Sequence, residues 1–216
     1  MRDPVARWLP GYPIAHTTLW HLLTHTSGLV EHRPFYASYR GRGEVEAAVY
    51  KEAAGSAPGD EVCYSDLNFM LLGWALEACF SQPLDEVFSA QVAGPLGMPA
   101  KRFCPPARLA DFVQSLLQAG PGGVLPPSSV EEMGTLQAES DSDVRGLGWR
   151  LRPSGWGSWP EGTMWHTGFT GTSLLVDRPR GVAVILLSNA IHPRRRLDEQ
   201  AAFRAEVHRL VADALS

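Results

Sequence analysis

The sequence predicts an α+β protein, an antiparallel sheet flanked by helices and joined to a helical subdomain, on three observations. Apolar residues recur at helical spacing through much of the stretch from about residue 11 to about 145. Beyond about residue 146 the pattern becomes extended, in the apolar runs GLGWRLRP (146–153), TMWHTGFTGTSLLVDRP (163–179) and GVAVILLSNAI (181–191), separated by turn signals such as Asp-Arg-Pro-Arg-Gly. A last amphipathic helix covers 198–215, with Ala202, Val207, Leu210, Val211 and Leu215 expected near one face. Helices followed by a meander, in place of alternating βαβ units, make the sheet antiparallel. The expected organisation is one domain over 1–216, mainly helical over about 11–145, with the strands and closing helix over about 146–216.

The elements follow in order. In IAHTTLWHLLTHTSGL (14–29), Thr17 or Thr18 can cap a short helix that points Leu19, Leu22 and Leu23 one way, and Ser27-Gly28 closes it. A helix over 44–54 comes next. The segment APGDEVCYSD (57–66) supplies a Pro-Gly turn and an extended piece, after which Asp66 can cap the strongly apolar helix LNFMLLGWALEACF (67–80). PLDEVFSAQVAGPLGM (83–98) reads as a helix opened by proline and ended at Gly94-Pro95. RLADFVQSLLQAG (108–120) and SSVEEMGTL (128–136) are two more helical patterns. The linker-like segments are the Gly/Pro stretches 120–127 and 152–163.

Composition excludes several functions. A chain of 216 residues with 44% hydrophobic content can bury a full core. Its net charge of -4 and pI near 6.0 create no broad basic field, so nucleic acid is not an expected partner. The Arg194, Arg195, Arg196 run reads as a solvated loop before a helix. Cys63, Cys79 and Cys104 are odd in number and lack CxxC spacing, which argues against a disulfide framework or a thiolate zinc site. His21 and His25 stand four apart, with His32 nearby, but HLLTH lacks the glutamate of HExxH. No metal and no cofactor is expected. There is no signal-peptide core and no stretch of about 18 apolar residues, so the sequence as written reads as unexported and without a membrane span. The compartment and oligomeric state of an intact version are left open.

Three short motifs carry the chemistry: LLTHTSGL (22–29), Tyr-Ser-Asp (64–66) opening an apolar helix, and His-Thr-Gly (166–168) at the mouth of a strand. Together with GPLGM (94–98), LADFVQSLLQAG (109–120), HTGFTGTSLLVD (166–177) and GVAVILLSNAIHP (181–193), in order, they make the chain similar to the serine hydrolases that include class C β-lactamases, DD-peptidases and related esterases. That resemblance implies a β-lactamase/transpeptidase-like fold and cleavage of an amide or ester bond through an acyl-enzyme, on a small-molecule or peptide substrate with an acyl group. It gives Tyr64 the role of taking the nucleophile's proton and passing it to the leaving group. Asp66 stands where asparagine is usual, and an ionised carboxylate accepts hydrogen bonds but donates none. His166 stands where lysine is usual; with an ordinary pKa near 6.5, it anchors a carboxylate less well at neutral pH. Thr167 and Gly168 complete an edge on which an acyl amide can pair like an added strand, and the Phe169 N–H would supply half of an oxyanion hole. LLTHTSGL is diagnostic of the family yet reads as structural, with His25 bonding its neighbours in a turn.

The family's nucleophile is the serine of Ser-x-x-Lys, and this sequence contains none. Its lysines are Lys51 and Lys101, preceded at three positions by Ala48 and Met98. The family carries that motif some tens of residues ahead of the segment matched by DPVARWLP (3–10), and also a longer glycine-rich segment between GPLGMPAKRFCPP (94–106) and RLADFVQSLL (108–117). The resemblance therefore implies a fold incomplete at its N-terminus, inactive as given, with apolar surface exposed on LNFMLLGWALEACF and an unpaired sheet edge. The alternative is a non-catalytic module that binds peptidoglycan-like peptides.

Overall fold

A computed structural model describes residues 1–98, 106–118 and 123–216. The expected shortening across 99–105, with Lys101 and Cys104, lies outside the described residues. The chain is α+β and forms two compact units, residues 1–89 with 137–148, and residues 90–136 with 149–216.

The first unit is built on the N-terminal segment and five helices, α1 (Leu19–Thr24), α2 (Phe35–Ser38), α3 (Gly41–Val49), α4 (Asp66–Phe80) and α5 (Leu84–Phe88), with a ribbon of β1 (Ala138–Glu139) and β2 (Val144–Arg145). Thr18 caps α1: its hydroxyl accepts from the His21 N–H at 3.4 Å, while His21 Nδ1 accepts from the Thr18 N–H at 3.0 Å. This is a capping box with histidine where Glu or Gln is usual. The α1 helix ends earlier than Ser27-Gly28, because His25 takes a left-handed conformation, φ 57° and ψ 39°, and closes it. Leu22 of α1 and Leu67, Leu71 and Ala75 of α4 share a core with Val5, Leu9, Leu29 and Val49. Each leucine or valine among them contributes about 1.5–3 kcal/mol on burial.

The α4 helix is apolar nearly all round, a composition suited to a helix enclosed on every side. Yet Phe69 (45%), Leu76 (43%) and Phe80 (40%) are exposed. This is the exposure expected for that helix. Leu19, Leu23, Phe69, Leu72, Leu76 and Leu84 line an apolar groove of about 410 Å³. The 216-residue chain is therefore expected to bind ANS strongly at neutral pH, and Leu76→Glu to reduce that fluorescence several-fold. Equal fluorescence from the two proteins would place the dye elsewhere.

The second unit holds α6 (Pro106–Gln118), α7 (Pro127–Met133), the antiparallel strands β3 (Arg150–Leu151), β4 (Met164–Thr167), β5 (Ser173–Asp177) and β6 (Val182–Leu186), and the closing helix α8 (Leu197–Ala214). The register sets Met164 opposite Val176, His166 opposite Leu174 and Thr167 opposite Ser173, while Leu175 faces Val184. β6 ends the strand order, and its five residues are all partly exposed, in keeping with an outer edge.

Two local expectations are corrected here. Asp66 is not the N-cap of α4; Ser65 holds that position without a side-chain cap bond, and Asp66 is the first helical residue, where its charge favours the helix dipole. On α8 the buried residues are His208 and Ala212, whereas Ala202, Leu210 and Leu215 are exposed. The reason is aromatic packing: the His208 ring stacks on Trp156 at 4.1 Å and 6°. Trp156 in turn packs against Trp165 at 4.6 Å. A polar residue therefore occupies the centre of the buried face, which an apolar stripe does not reveal.

Candidate active site

Tyr64 lies in the extended segment before α4, and the loop after α1 holds it there. The carbonyl of His25 accepts from the Cys63 N–H at 2.8 Å. Its ring Nδ1 accepts from the Ser65 N–H at 3.1 Å and from Asn68 Nδ2 at 3.1 Å. Asn68 Oδ1 accepts from Ser27 Oγ at 2.6 Å, and Ser27 Oγ accepts from the Leu29 N–H at 3.2 Å. This chain of donors leaves His25 Nδ1 as an acceptor and puts the ring proton on Nε2. His25 is buried, and its ring lies 4.5 Å from the ring of Tyr64. Gly28 has φ 77°, and a Cβ there would meet the Ser56 carbonyl oxygen at 2.1 Å, so only glycine fits beside that strand of backbone. LLTHTSGL is thus the mould that shapes the tyrosine's loop.

Around the phenol, burial pushes the Tyr64 pKa up, and Asp66 pushes it further through its charge and its hydrogen bond, while Arg145 pulls it down. The Asp66 carboxylate also pairs with His32 Nδ1 at 3.0 Å on an exposed face. The neighbouring Cys63 thiol is held above its ordinary pKa by burial and by Glu31 and Glu61, the opposite of an activated nucleophile. The histidines of HLLTH have other duties, His21 in the cap of α1 and His25 in the tyrosine loop.

The other half of the expected site is on β4 of the second unit. β3 pairs with Met164 and Trp165, so its ladder ends one residue before His166. The adjacent side of the strand therefore lacks β3 at His166 and Thr167. A tight turn joins Thr167 to β5, with the Gly168 N–H donating to the Thr172 carbonyl at 2.9 Å. A Cβ at position 168 would lie 2.1 Å from Thr172 Oγ1. Any larger residue there needs the Thr172 side chain to turn away. Phe169 projects from the turn, 66% exposed, with the guanidinium of Arg195 5.4 Å from its ring. The arginine run is thereby attached at one point to the end of this strand.

Tyr64, Asp66, His25 and Arg145 are gathered in one unit, and His166, Thr167, Gly168 and Phe169 in the other. Sequence reading passed over Asn68 and Arg145. Asn68 lies one helical turn after the capping position and was visible as a buried polar position only once α4 was packed. Arg145 precedes Gly-Leu-Gly-Trp, 81 positions after the residue it touches, and nothing local marks it.

Comparisons with known proteins bear on the family and the fold. Over 120 residues, 49% of this chain, it is 31% identical to the D-alanyl-D-alanine-carboxypeptidase/endopeptidase AmpH of Escherichia coli K12, and it spans 30% of that protein's length. Over 88% of the chain it is 27% identical to esterase EstB of Burkholderia gladioli, spanning 70% of it. Among solved structures, a β-lactamase of Mycobacterium bovis superposes with a TM-score of 0.70 at 21% identity, covering 98% of this chain and 79% of that one. A class C β-lactamase superposes with a TM-score of 0.73 at 15% identity, covering 98% of this chain and 74% of that one. These likenesses support the same fold. Residues 1–131 and 105–209 match the Beta-lactamase family, and the chain belongs to it.

Proposed function

We propose that this chain carries the proton-transfer and substrate-edge parts of a serine hydrolase that cleaves an amide or ester bond in a small-molecule or peptide substrate. The observation that carries the reading is Tyr64, half-exposed and held by His25 between an acid, Asp66, and a buried arginine. In the reaction, the phenolate of Tyr64 takes the proton of a serine hydroxyl as it attacks the acyl carbon, then returns it to the leaving group. His166 and Thr167 hold the acyl group along β4, and the Phe169 N–H stabilises the developing oxyanion. The nucleophile is not among these 216 residues, since no Ser-x-x-Lys occurs in them. The chain by itself is therefore inactive in acyl transfer.

The expected result is no stoichiometric fluorophosphonate labelling of this chain, and no turnover of nitrocefin or p-nitrophenyl acetate above background. Labelling that maps to a serine of this chain would overturn the inactivity. Supplied with a Ser-x-x-Lys segment encoded in the same reading frame, the protein should be acylated, and Tyr64→Phe should slow that step by about 10²–10⁴-fold. Undiminished acylation of the Tyr64→Phe protein would remove the tyrosine from its role. A second reading is a peptidoglycan-peptide binding module that uses the His166–Thr167 segment of β4, where the β3 ladder has ended. Calorimetric binding of D-Ala-D-Ala peptides by the chain alone, lost in His166→Ala, would select it.

A further inference from the structure

A phenol with an ordinary pKa near 10 is ionised to about one part in a thousand at neutral pH, so one that accepts a proton needs a cation close by. This sequence has histidine at 166, where the resemblance expects lysine. The structure holds a different cation against Tyr64. Arg145 of β2 is 1% exposed, among the most deeply enclosed large side chains of the molecule. Its guanidinium carbon lies 5.5 Å from the centroid of the Tyr64 ring. Asp143, in the turn of the β1–β2 ribbon, holds the guanidinium, its Oδ2 accepting from Nε at 2.9 Å and also from Nη2.

We propose that Arg145 is the cation that stabilises the phenolate of Tyr64, a positioning residue that acts through the tyrosine and not on the substrate. The proposal rests on the reading of Tyr64 as the proton-transfer group. An arginine suits this task in one respect and limits it in another. It stays charged at every working pH, so its field on the phenol is constant; for the same reason it cannot itself accept the serine's proton, which goes to Tyr64 alone. Burial keeps that field from being screened by water and salt. Among the described residues, the charged and titratable groups facing the phenol include Asp66 from α4, which opposes ionisation, Arg145 from β2, which favours it, and the ring of His25 from the end of α1. Asp143 pairs with the arginine and weakens its field. A chain with histidine at 166 thus keeps a permanent positive charge beside its tyrosine, delivered from a ribbon distant in sequence.

The competing interpretation makes Arg145 and Asp143 a brace for the ribbon turn, with no effect on the phenol. The two differ in sign. Carbon-13 labelling of tyrosine Cζ, with the Tyr64 resonance assigned by Tyr64→Phe, follows ionisation of the phenol directly and needs no activity. Arg145→Gln should reduce the ionised fraction of Tyr64 at a given alkaline pH by about tenfold, and Asp143→Asn should increase it. Lost packing would not move the two variants in opposite directions. An unchanged Tyr64 titration in both, or shifts of the same sign, would overturn the proposal. If Arg145→Gln fails to fold, Asp143→Asn decides alone, an unmoved or raised titration midpoint counting against it. Failure of the functional reading shows separately, as undiminished acylation of the Tyr64→Phe protein that carries a Ser-x-x-Lys segment.

Discussion

His25→Ala is expected to destabilise the first unit by about 3–5 kcal/mol, from two unsatisfied buried donors and the cavity left by the ring. The donors are the Ser65 N–H and Asn68 Nδ2, both of which give to His25 Nδ1 at 3.1 Å, in a setting where His25, Ser65 and Asn68 are all buried. Alanine also inherits the left-handed backbone of position 25, at φ 57°, which strains a residue with a Cβ. Asparagine tolerates that conformation better and can offer an acceptor, so His25→Asn should lose less than His25→Ala. Urea unfolding followed by tyrosine and tryptophan fluorescence measures the difference. The loss should extend to the site, because the ring that packs on Tyr64 and the acceptor that holds Ser65 belong to one side chain. A His25→Ala protein as stable as the parent would show that the loop keeps its shape without the histidine.

Acid is expected to loosen the second unit through His208. Burial pushes the pKa of this histidine down to about 4, with nearby Arg204 adding to the effect. The residue is fully enclosed, its Nε2 2.9 Å from Ser173 Oγ and its ring stacked on Trp156. In the unfolded chain a histidine titrates near 6.5, so the folded state binds this proton less readily than the unfolded state. Stability from the neutral ring is complete above about pH 6.5 and is lost as the pH falls from there towards 4. The size of the loss is about 3 kcal/mol, from the difference between those two pKa values. His208→Gln, which keeps a partner for Ser173 but does not titrate, should flatten the profile of denaturation midpoint against pH between 7 and 4. Parallel profiles for the two proteins would assign the acid sensitivity to other groups. Ser173 lies directly across from Thr167, so the strand that carries the proposed substrate edge is expected to loosen over the same pH range.

What could be read from the sequence alone was whatever is local and periodic. The apolar period of 67–80 declared α4, the alternation of apolar runs and turn residues declared β4 to β6, and the pair Thr17-Thr18 declared the start of α1, each because a helix or a hairpin is settled by neighbours a few positions away. The Tyr64 and His166 candidates were legible for a different reason: they stand in short contiguous motifs, which survive as strings whatever the surrounding chain does. The tertiary structure decided the rest. It gave the N-cap of α4 to Ser65, because distant groups pin the backbone there, the Ser65 N–H giving to His25 Nδ1 and the Ser65 hydroxyl to the Val30 carbonyl. It turned α8 onto His208, because a stacked aromatic contact with Trp156 outweighs the burial of a few aliphatic carbons. It set Arg145 beside Tyr64, a meeting of residues 81 positions apart that no period can encode, since a buried charge is tolerated only where folding brings its partners together.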